Sequence, residues 1–348
     1  MISKPLLKAD LDHVLSHTAS LWRELAGARL FITGGTGFFG KWLLESIAAA
    51  NDALGCGVNA TVLSRTPRIF LAGMPHLAER SEFTWVVANV TDFPFPAERH
   101  DYALHLATAT SAHLDRTQPL EMLATKFNSI RRVLDFARHC GARRMLVTSS
   151  GAVYGPQPAD LERIPEDYPG APDPLKPTSA YGTGKRLIEQ ICALTPEVDC
   201  VIARCFSFIG PHLPFDARFA AGNFLRDALN GGPVVVQGDG QAVRSYLYAA
   251  DLIIWLLTLL LRGTPGRAYN VGSDQEVSIL ELAHKVAVIT GKNLPVDIKS
   301  KLRETTENRY VPNVSRSRAE LGLQIHVSLH QALQRTYTWT LHNEDVNP

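Results

Sequence analysis

This sequence has no long apolar run. Its most apolar stretch, residues 252–261, is ten residues long, whereas a helix that crosses a bilayer needs about 20. It has no apolar leader either, because Lys4, Lys8, Asp10, Asp12 and His13 interrupt the N-terminal stretch that a secretion signal would occupy. Cysteine is scarce, with five residues at Cys56, Cys140, Cys192, Cys200 and Cys205. They form no Cys-x-x-Cys pair and no His/Cys grouping at zinc spacing, so neither a disulfide framework nor a metal site is expected. An excess of charge is missing too: 35 basic side chains face 34 acidic ones, a formal net charge of +1. That balance argues against nucleic acid or a membrane surface as a partner. There is no internal repeat and no low-complexity segment. A soluble, cytoplasmic protein with reduced thiols is expected.

What the sequence does have is apolar residues enough for a large core, 45% of 348, and a run of glycines in a telling place. Leu30-Phe31-Ile32 has the character of a buried strand. Gly34, Gly37 and Gly40 follow, and then Lys41-Trp-Leu-Leu-Glu-Ser-Ile-Ala-Ala-Ala50 has the character of a helix. A strand that feeds a tight glycine turn and then a helix leaves the first backbone N–H groups of the helix unpaired. They point outward at the positive end of its dipole, which suits a pyrophosphate. A Cβ would block both the turn and the approach of the phosphate.

Further strands and helices alternate along the chain. Residues 60–65 form a second strand ending in Ser64-Arg65, with Arg68 beyond and no carboxylate. In a dinucleotide fold that end meets the adenosine ribose, where an acidic residue favours NAD and an arginine favours NADP. The tilt here is toward NADP. Residues 83–88 form a third strand with Asn89 at its end, where adenine would lie, and residues 102–107 form a fourth, which takes in Leu106 and Ala107. A helix over 120–140 places Leu123, Phe127, Ile130, Leu134 and Ala137 on one face. A fifth strand runs into Ser149-Ser-Gly-Ala-Val-Tyr-Gly155, residues 156–178 hold seven prolines in a loop, and a sixth strand spans 200–205. The expected fold is α/β, a Rossmann-type doubly wound parallel sheet with a smaller C-terminal substrate-binding lobe. Residues 1–26 are expected to be a helical extension, with Leu7, Leu11, Val14, Leu15, Leu21, Trp22 and Leu25 packed inward. Residues 27–205 form the dinucleotide domain. Residues 206–348 form mainly the substrate lobe, with 246–275 returning to the first domain.

Tyr181 and Lys185 stand four residues apart, on one face of a helix. A lone tyrosine with a pKa near ~10 is a poor base at neutral pH, and lowering it by three units takes roughly 4 kcal/mol. A neighbouring ammonium and a nicotinamide cation together can supply that. Ser150, at the end of the fifth strand, can hydrogen-bond the same substrate oxygen.

The chain resembles a family, the extended short-chain dehydrogenase/reductases of the NAD-dependent epimerase/dehydratase group that act on nucleotide sugars. The resemblance runs from about residue 28 to about residue 335. It rests on Thr33-Gly-Gly-Thr-Gly-Phe-Phe-Gly40, His105-Leu-Ala107, the Ser149–Gly155 stretch, Tyr181-Gly-Thr-Gly-Lys185, Arg204-Cys-Phe-Ser-Phe-Ile-Gly-Pro211, Gly238-Asp-Gly-Gln-Ala-Val-Arg-Ser-Tyr246, Asp251 and Asn270-Val-Gly272. It implies catalysis by Ser150, Tyr181 and Lys185, with Lys185 also holding the nicotinamide ribose. It implies NAD or NADP held by Gly34, Thr36, Gly37, Phe38, Phe39, Gly40, Ser64, Arg65, Asn89, Val90, Leu106 and Ala107, with Ser207 near the nicotinamide. It implies a nucleotide-diphosphate sugar held by Ser150, Asn223, Arg244 and Arg309, and a homodimer formed by the helices around 120–140 and 179–195.

Two departures bear on the reaction. Where dehydrating members carry an acidic pair and decarboxylating members a glutamate, this chain has Gly151 and Ala152, so 4,6-dehydration and decarboxylation are disfavoured. The expected activity is epimerisation at C4 by transient oxidation, with Tyr181 as base and then acid. Because of Ser64-Arg65, the alternative is an NADPH-dependent reductase of a nucleotide-linked 4-keto sugar. A non-catalytic NAD(P)-sensing module is a remoter third.

Overall fold

The computed structural model describes residues 5–107, 117–215, 219–300 and 309–343. The chain forms two compact units. One comprises Met1–Gly155, Ala171–Cys205 and Ile253–Tyr269, and the other Pro156–Gly170, Phe206–Leu252 and Asn270–Pro348.

The first unit is built on strands β1 (Arg29–Thr33), β2 (Asn59–Ser64), β3 (Phe83–Val87), β4 (Tyr102–His105), β5 (Arg144–Ser150) and β6 (Cys200–Cys205). They lie in the order β3-β2-β1-β4-β5-β6, and a seventh strand, Ala268–Val271, extends the sheet beside β6. The pairs β1–β2, β2–β3, β1–β4, β4–β5 and β5–β6 are all parallel. This is the Rossmann-type α/β sheet that the alternation of elements predicts. The seventh strand is an addition, too short and mixed (Ala-Tyr-Asn-Val) to stand out by periodicity.

Both faces of the sheet are covered, because alternate side chains of a strand point opposite ways. Phe31, Ala103, Met145 and Val147 join Ile130, Val133, Phe136 and Ile188 in one core cluster, which seats the helices Pro119–Cys140 and Ala180–Ala193. On the other face Ile32, Val62 and Leu44 of the helix Phe38–Leu54 converge around Gly35. The buried stripe of Pro119–Cys140 differs from expectation: Met122, Lys126 and Ser129 are buried with Ile130, Val133 and Leu134, whereas Leu123 and Phe127 are only partly so. Ile130, Leu134 and Ala137 are buried as expected, so the difference lies in the N-terminal half, where Lys126 meets Gly184 of the helix Ala180–Ala193.

The N-terminal extension is the helix Lys8–Glu24, buried through Val14, Leu15, Leu21 and Trp22. Leu7 is an exception at 37% exposure. The helix belongs to the first unit, where Arg262 Nη2 donates to Glu24 at 2.5 Å. The apolar run at 252–261 lies in the helix Ala249–Arg262 and is buried almost throughout. Among the described residues no helix is long and apolar enough to cross a membrane, and all five cysteines are free and buried.

The second unit carries small sheets. Val243–Ser245 pairs with Glu276–Ser278 antiparallel and with Arg309–Tyr310 in parallel, and Val234–Val236 pairs with Val296–Ile298. A capping box, Ser278 with Glu281, starts the helix Ile279–Ile289. The proline-rich segment is fastened here rather than loose. Asn270 donates to Ile164 O and Asn313 O, and Val311 N donates to Gln157.

Candidate active site

The glycine turn lies where the strand order reverses, between β1 and β4, the position at which doubly wound sheets take ligands. Gly34 has φ +75°, and a Cβ on it would lie 2.5 Å from the Ala107 backbone nitrogen. Only glycine allows that fold-back. Gly37 N donates to Gly34 O at 3.0 Å and caps the helix Phe38–Leu54 without any side-chain hydrogen bond. No acidic residue stands in the first turn. A Cβ on Gly40 would come within 2.3 Å of Gly35, so this glycine sets how closely helix and turn approach. The cradle therefore keeps its outward N–H groups clear of side chains and of negative charge, and it fits a dinucleotide pyrophosphate.

Around the cradle, Ser64 is buried at the end of β2 and accepts from Thr66 N at 3.3 Å, while Arg65 and Arg68 are exposed. Asn89 is exposed just past β3. Phe38 and Phe39 stack loosely, 5.9 Å between ring centroids. Thr33 Oγ1 lies 2.8 Å from His105 Nδ1 and accepts from Ala107 N, tying the ends of β1 and β4 together.

The reaction corner lies at the end of β5. Ser150 is buried, its hydroxyl oxygen accepting from Ala152 N at 3.2 Å. A Cβ at Gly182 would lie 2.5 Å from Ala152 O, so the start of the tyrosine helix sits directly on the turn after Ser150. Tyr181 and Lys185 follow on that helix. Lys185, 1% exposed, donates from Nζ to Thr148 O at 2.7 Å. Burial, and then the neighbouring Lys126 ammonium, pull its pKa down to about 7. Burial likewise holds His105 down at about 3, so it stays neutral, and pushes the Cys205 thiol up to about 12.

Behind the corner lies an ion pair that has no signature in sequence spacing. Arg204 of β6 grips Glu189 of the tyrosine helix, with Nη2 2.7 Å from Oε2, and donates to the Tyr154 hydroxyl at 2.9 Å. Ser149 donates to Glu189 at 2.5 Å. Burial works against the Arg204 charge, but Glu189 more than offsets it and holds its pKa above the ordinary value. Lys126 is the other residue missed. Its only signal is a lysine on a buried helical stripe.

Thr36, Val90 and Leu106 lie in the first unit, and Ser207, Asn223, Arg244 and Arg309 in the second. Ser207 O accepts from Leu247 N at 3.0 Å. Asn223 lies in the helix Ala220–Leu229, and its buried Oδ1 has no hydrogen-bond partner among the described residues. Arg244 donates to Val243 O at 2.8 Å. Arg309 is in register with Val243, and Tyr310 with Arg244. Alternation along the strands therefore puts Arg309 on the face opposite Arg244, where it forms an ion pair with Glu276. The structure does not bring those two arginines together. Residues 301–308 lie outside the described residues. Among the described residues no group of three or more His, Cys, Asp or Glu side chains could hold a metal ion.

The sequence profile of the NAD dependent epimerase/dehydratase family matches residues 30–272. UDP-glucuronic acid decarboxylase 2 of Arabidopsis thaliana is 29% identical over 310 residues, which cover 88% of this chain and 67% of that protein. UDP-glucuronic acid 4-epimerase from Bacillus cereus, solved in complex with NAD, is similar with a TM-score of 0.75 at 20% identity, over 89% of this chain and 98% of that one. dTDP-glucose 4,6-dehydratase from Bacillus anthracis, also with NAD, has a TM-score of 0.75 at 18% identity, over 91% and 98%. At such identities the two structures speak for the fold alone.

These relatives correct one expectation. Gly151 and Ala152 do not set the chain apart from decarboxylases, since a UDP-glucuronic acid decarboxylase is among the proteins it is similar to, while a 4,6-dehydratase shares its fold. The physical reason lies in the substrate. Once C4 of a uronic acid is a ketone, its carboxylate is β to the carbonyl and can leave as carbon dioxide. No proton-transferring side chain is needed at 151 or 152 for that step.

Proposed function

The chain belongs to the NAD dependent epimerase/dehydratase family, and from that premise we propose that it oxidises a nucleotide-linked sugar transiently at C4, with Tyr181 as base. The observation that carries this reading is the corner itself. Tyr181 and Lys185 share one face of a helix that Gly182 seats on the turn of Ser150. When bound, the nicotinamide supplies a hydride acceptor and, later, the donor. Tyr181 takes the proton of the C4 hydroxyl and can return it, Ser150 holds the same oxygen, and Lys185 stabilises the phenolate. The glycine cradle holds the pyrophosphate, Ser64 and Arg65 flank the adenosine ribose, and Asn89 and Val90 flank adenine. In the second unit Asn223, whose Oδ1 has no hydrogen-bond partner among the described residues, and Arg244 are assigned to the nucleotide diphosphate, an arginine fork being suited to phosphate.

Two outcomes follow from the keto sugar. Return of the hydride to the opposite ring face gives epimerisation, which is our reading. Loss of carbon dioxide from a uronate is the second reading, supported by the decarboxylase relative. The test is to incubate the purified protein with UDP-glucose and, separately, with UDP-glucuronate, with NAD or NADPH, and to identify the products by NMR. A C4 epimer without net change in the dinucleotide supports the first reading, and a UDP-pentose supports the second. No reaction with either sugar, with NADPH consumed in proportion to product once a nucleotide-linked 4-keto sugar is supplied, would overturn both in favour of a reductase. Release of NAD rather than NADP on denaturing the protein would set aside the tilt assigned to Arg65.

A further inference from the structure

Lys126 sits mid-way along Pro119–Cys140 at 2% exposure, on a stripe it shares with Met122, Ser129, Ile130 and Val133. Core packing alone does not call for a lysine there, since a leucine or methionine would fill the space without desolvating an ammonium. What the ammonium meets is Tyr181, with Nζ 4.7 Å from the ring centroid. Its stem reaches that place over Gly184, where a Cβ would lie 2.6 Å from Lys126 Cδ. Gly184 and Lys185 follow Tyr181 at i+3 and i+4, so all three occupy one helix face. The phenol ring therefore has a second lysine beside it, from a different helix.

We propose that Lys126 is a positioning residue for Tyr181: its ammonium, admitted by the gap at Gly184, lies against the phenol ring and favours the phenolate that accepts the sugar proton. The proposal rests on the reading of Tyr181 as the base. The other groups facing this corner are differently placed. On the tyrosine helix, Lys185 donates to Thr148 O of β5, and Glu189 is bound to Arg204 of β6 and to Ser149 of β5. His105 of β4 is neutral and Cys205 of β6 protonated across the neutral range. Lys126 also repels Lys185, the largest influence on that lysine after burial. It thus acts on both members of the pair, through space and from one side.

The test is a titration of Tyr181 in the protein without ligands, followed by phenolate difference absorbance with Tyr181→Phe as the subtraction. Lys126→Met keeps the length of the stem and removes the charge. The Tyr181 titration is expected to move up by about one pH unit. The acid limb of kcat/KM should move by the same amount, a loss of roughly tenfold at neutral pH that is recovered at higher pH, with KM for the dinucleotide unchanged. If Lys126→Met does not fold, Gly184→Ala displaces the stem while keeping the charge, and it should move the same limb. An unmoved phenolate titration and an unmoved acid limb would overturn the proposal. Full turnover by Tyr181→Phe would instead overturn the base assignment, and the absorbance titration would still be read on its own.

Discussion

In the first unit, residues far apart in the chain meet around two small spaces. Gly34 closes on Ala107, and Gly182 closes on the turn after Ser150. In the second unit, residues of equally marked motifs fasten the fold. The Asp251 carboxylate accepts from His326 N and Val327 N, both at 3.0 Å, and Asn270 clamps Ile164 and Asn313. Arg309 is engaged with Glu276. A motif residue can thus serve chemistry or closure. In the second unit the buried Asp251 and Asn270 side chains hold backbone groups, whereas in the first the glycines set how closely the strand ends and the tyrosine helix approach.

The largest expected effect tests the chemistry side of this contrast. Tyr181→Phe removes the proton acceptor and should lower kcat by about 10²- to 10⁴-fold with dinucleotide affinity kept. Steady-state kinetics beside a dinucleotide titration check it, and unchanged turnover would remove the distinction between the units. Next, on the closure side, Asp251→Ala leaves two backbone N–H groups without their acceptor at a fully buried site. A loss of roughly 2–4 kcal/mol in denaturant unfolding is expected, with Asp251→Asn milder because one acceptor oxygen remains.

A third measurement separates the two roles by pH. Lys185 has its pKa lowered to about 7 in the folded protein from the ordinary lysine value of 10.5. Between those values the unfolded chain binds a proton that the folded one does not, so this group makes stability rise with pH. Cys205, raised to about 12 from 9.0 by burial, works the other way above pH 9, which leaves pH 7 to 9 as the clean window. A gain of about 2 kcal/mol across it is expected, and Lys185→Met should flatten the slope. A slope unchanged in that variant would mean that the buried ammonium finds compensation in the fold.

The same contrast explains how much could be read before the fold was known. The parallel sheet, the glycine cradle and the Tyr181–Lys185 pair were legible because each is local: a period, a turn or an i,i+4 spacing. Glu189–Arg204 and Lys126 were not, because what they meet comes from other elements through tertiary packing, which local spacing does not announce. The partial burial of Leu123 and Phe127 has the same origin. The inference against decarboxylation from Gly151 and Ala152 failed for another reason: it read reaction type from two absent side chains, whereas a β-keto acid carries its own route to carbon dioxide.

The smallest expected effect lies in the second unit, and register decides it. Arg309 pairs with Val243 and Glu276 pairs with Ser245, so all four occupy one face while Arg244 occupies the other. Arg309 and Glu276 retain 21% and 46% of their side-chain exposure, and a half-exposed ion pair is worth about 0–1 kcal/mol. Arg309→Ala should therefore change stability by no more than that and leave UDP affinity unaltered. Arg244→Ala should weaken UDP by roughly 10- to 100-fold, the loss of one or two charge-assisted hydrogen bonds. Calorimetric titration of both variants with UDP decides between them. Equal weakening would mean that Arg309 leaves Glu276 when the nucleotide arrives, and that the division between fastening and binding in this unit is made by the ligand rather than by the strands.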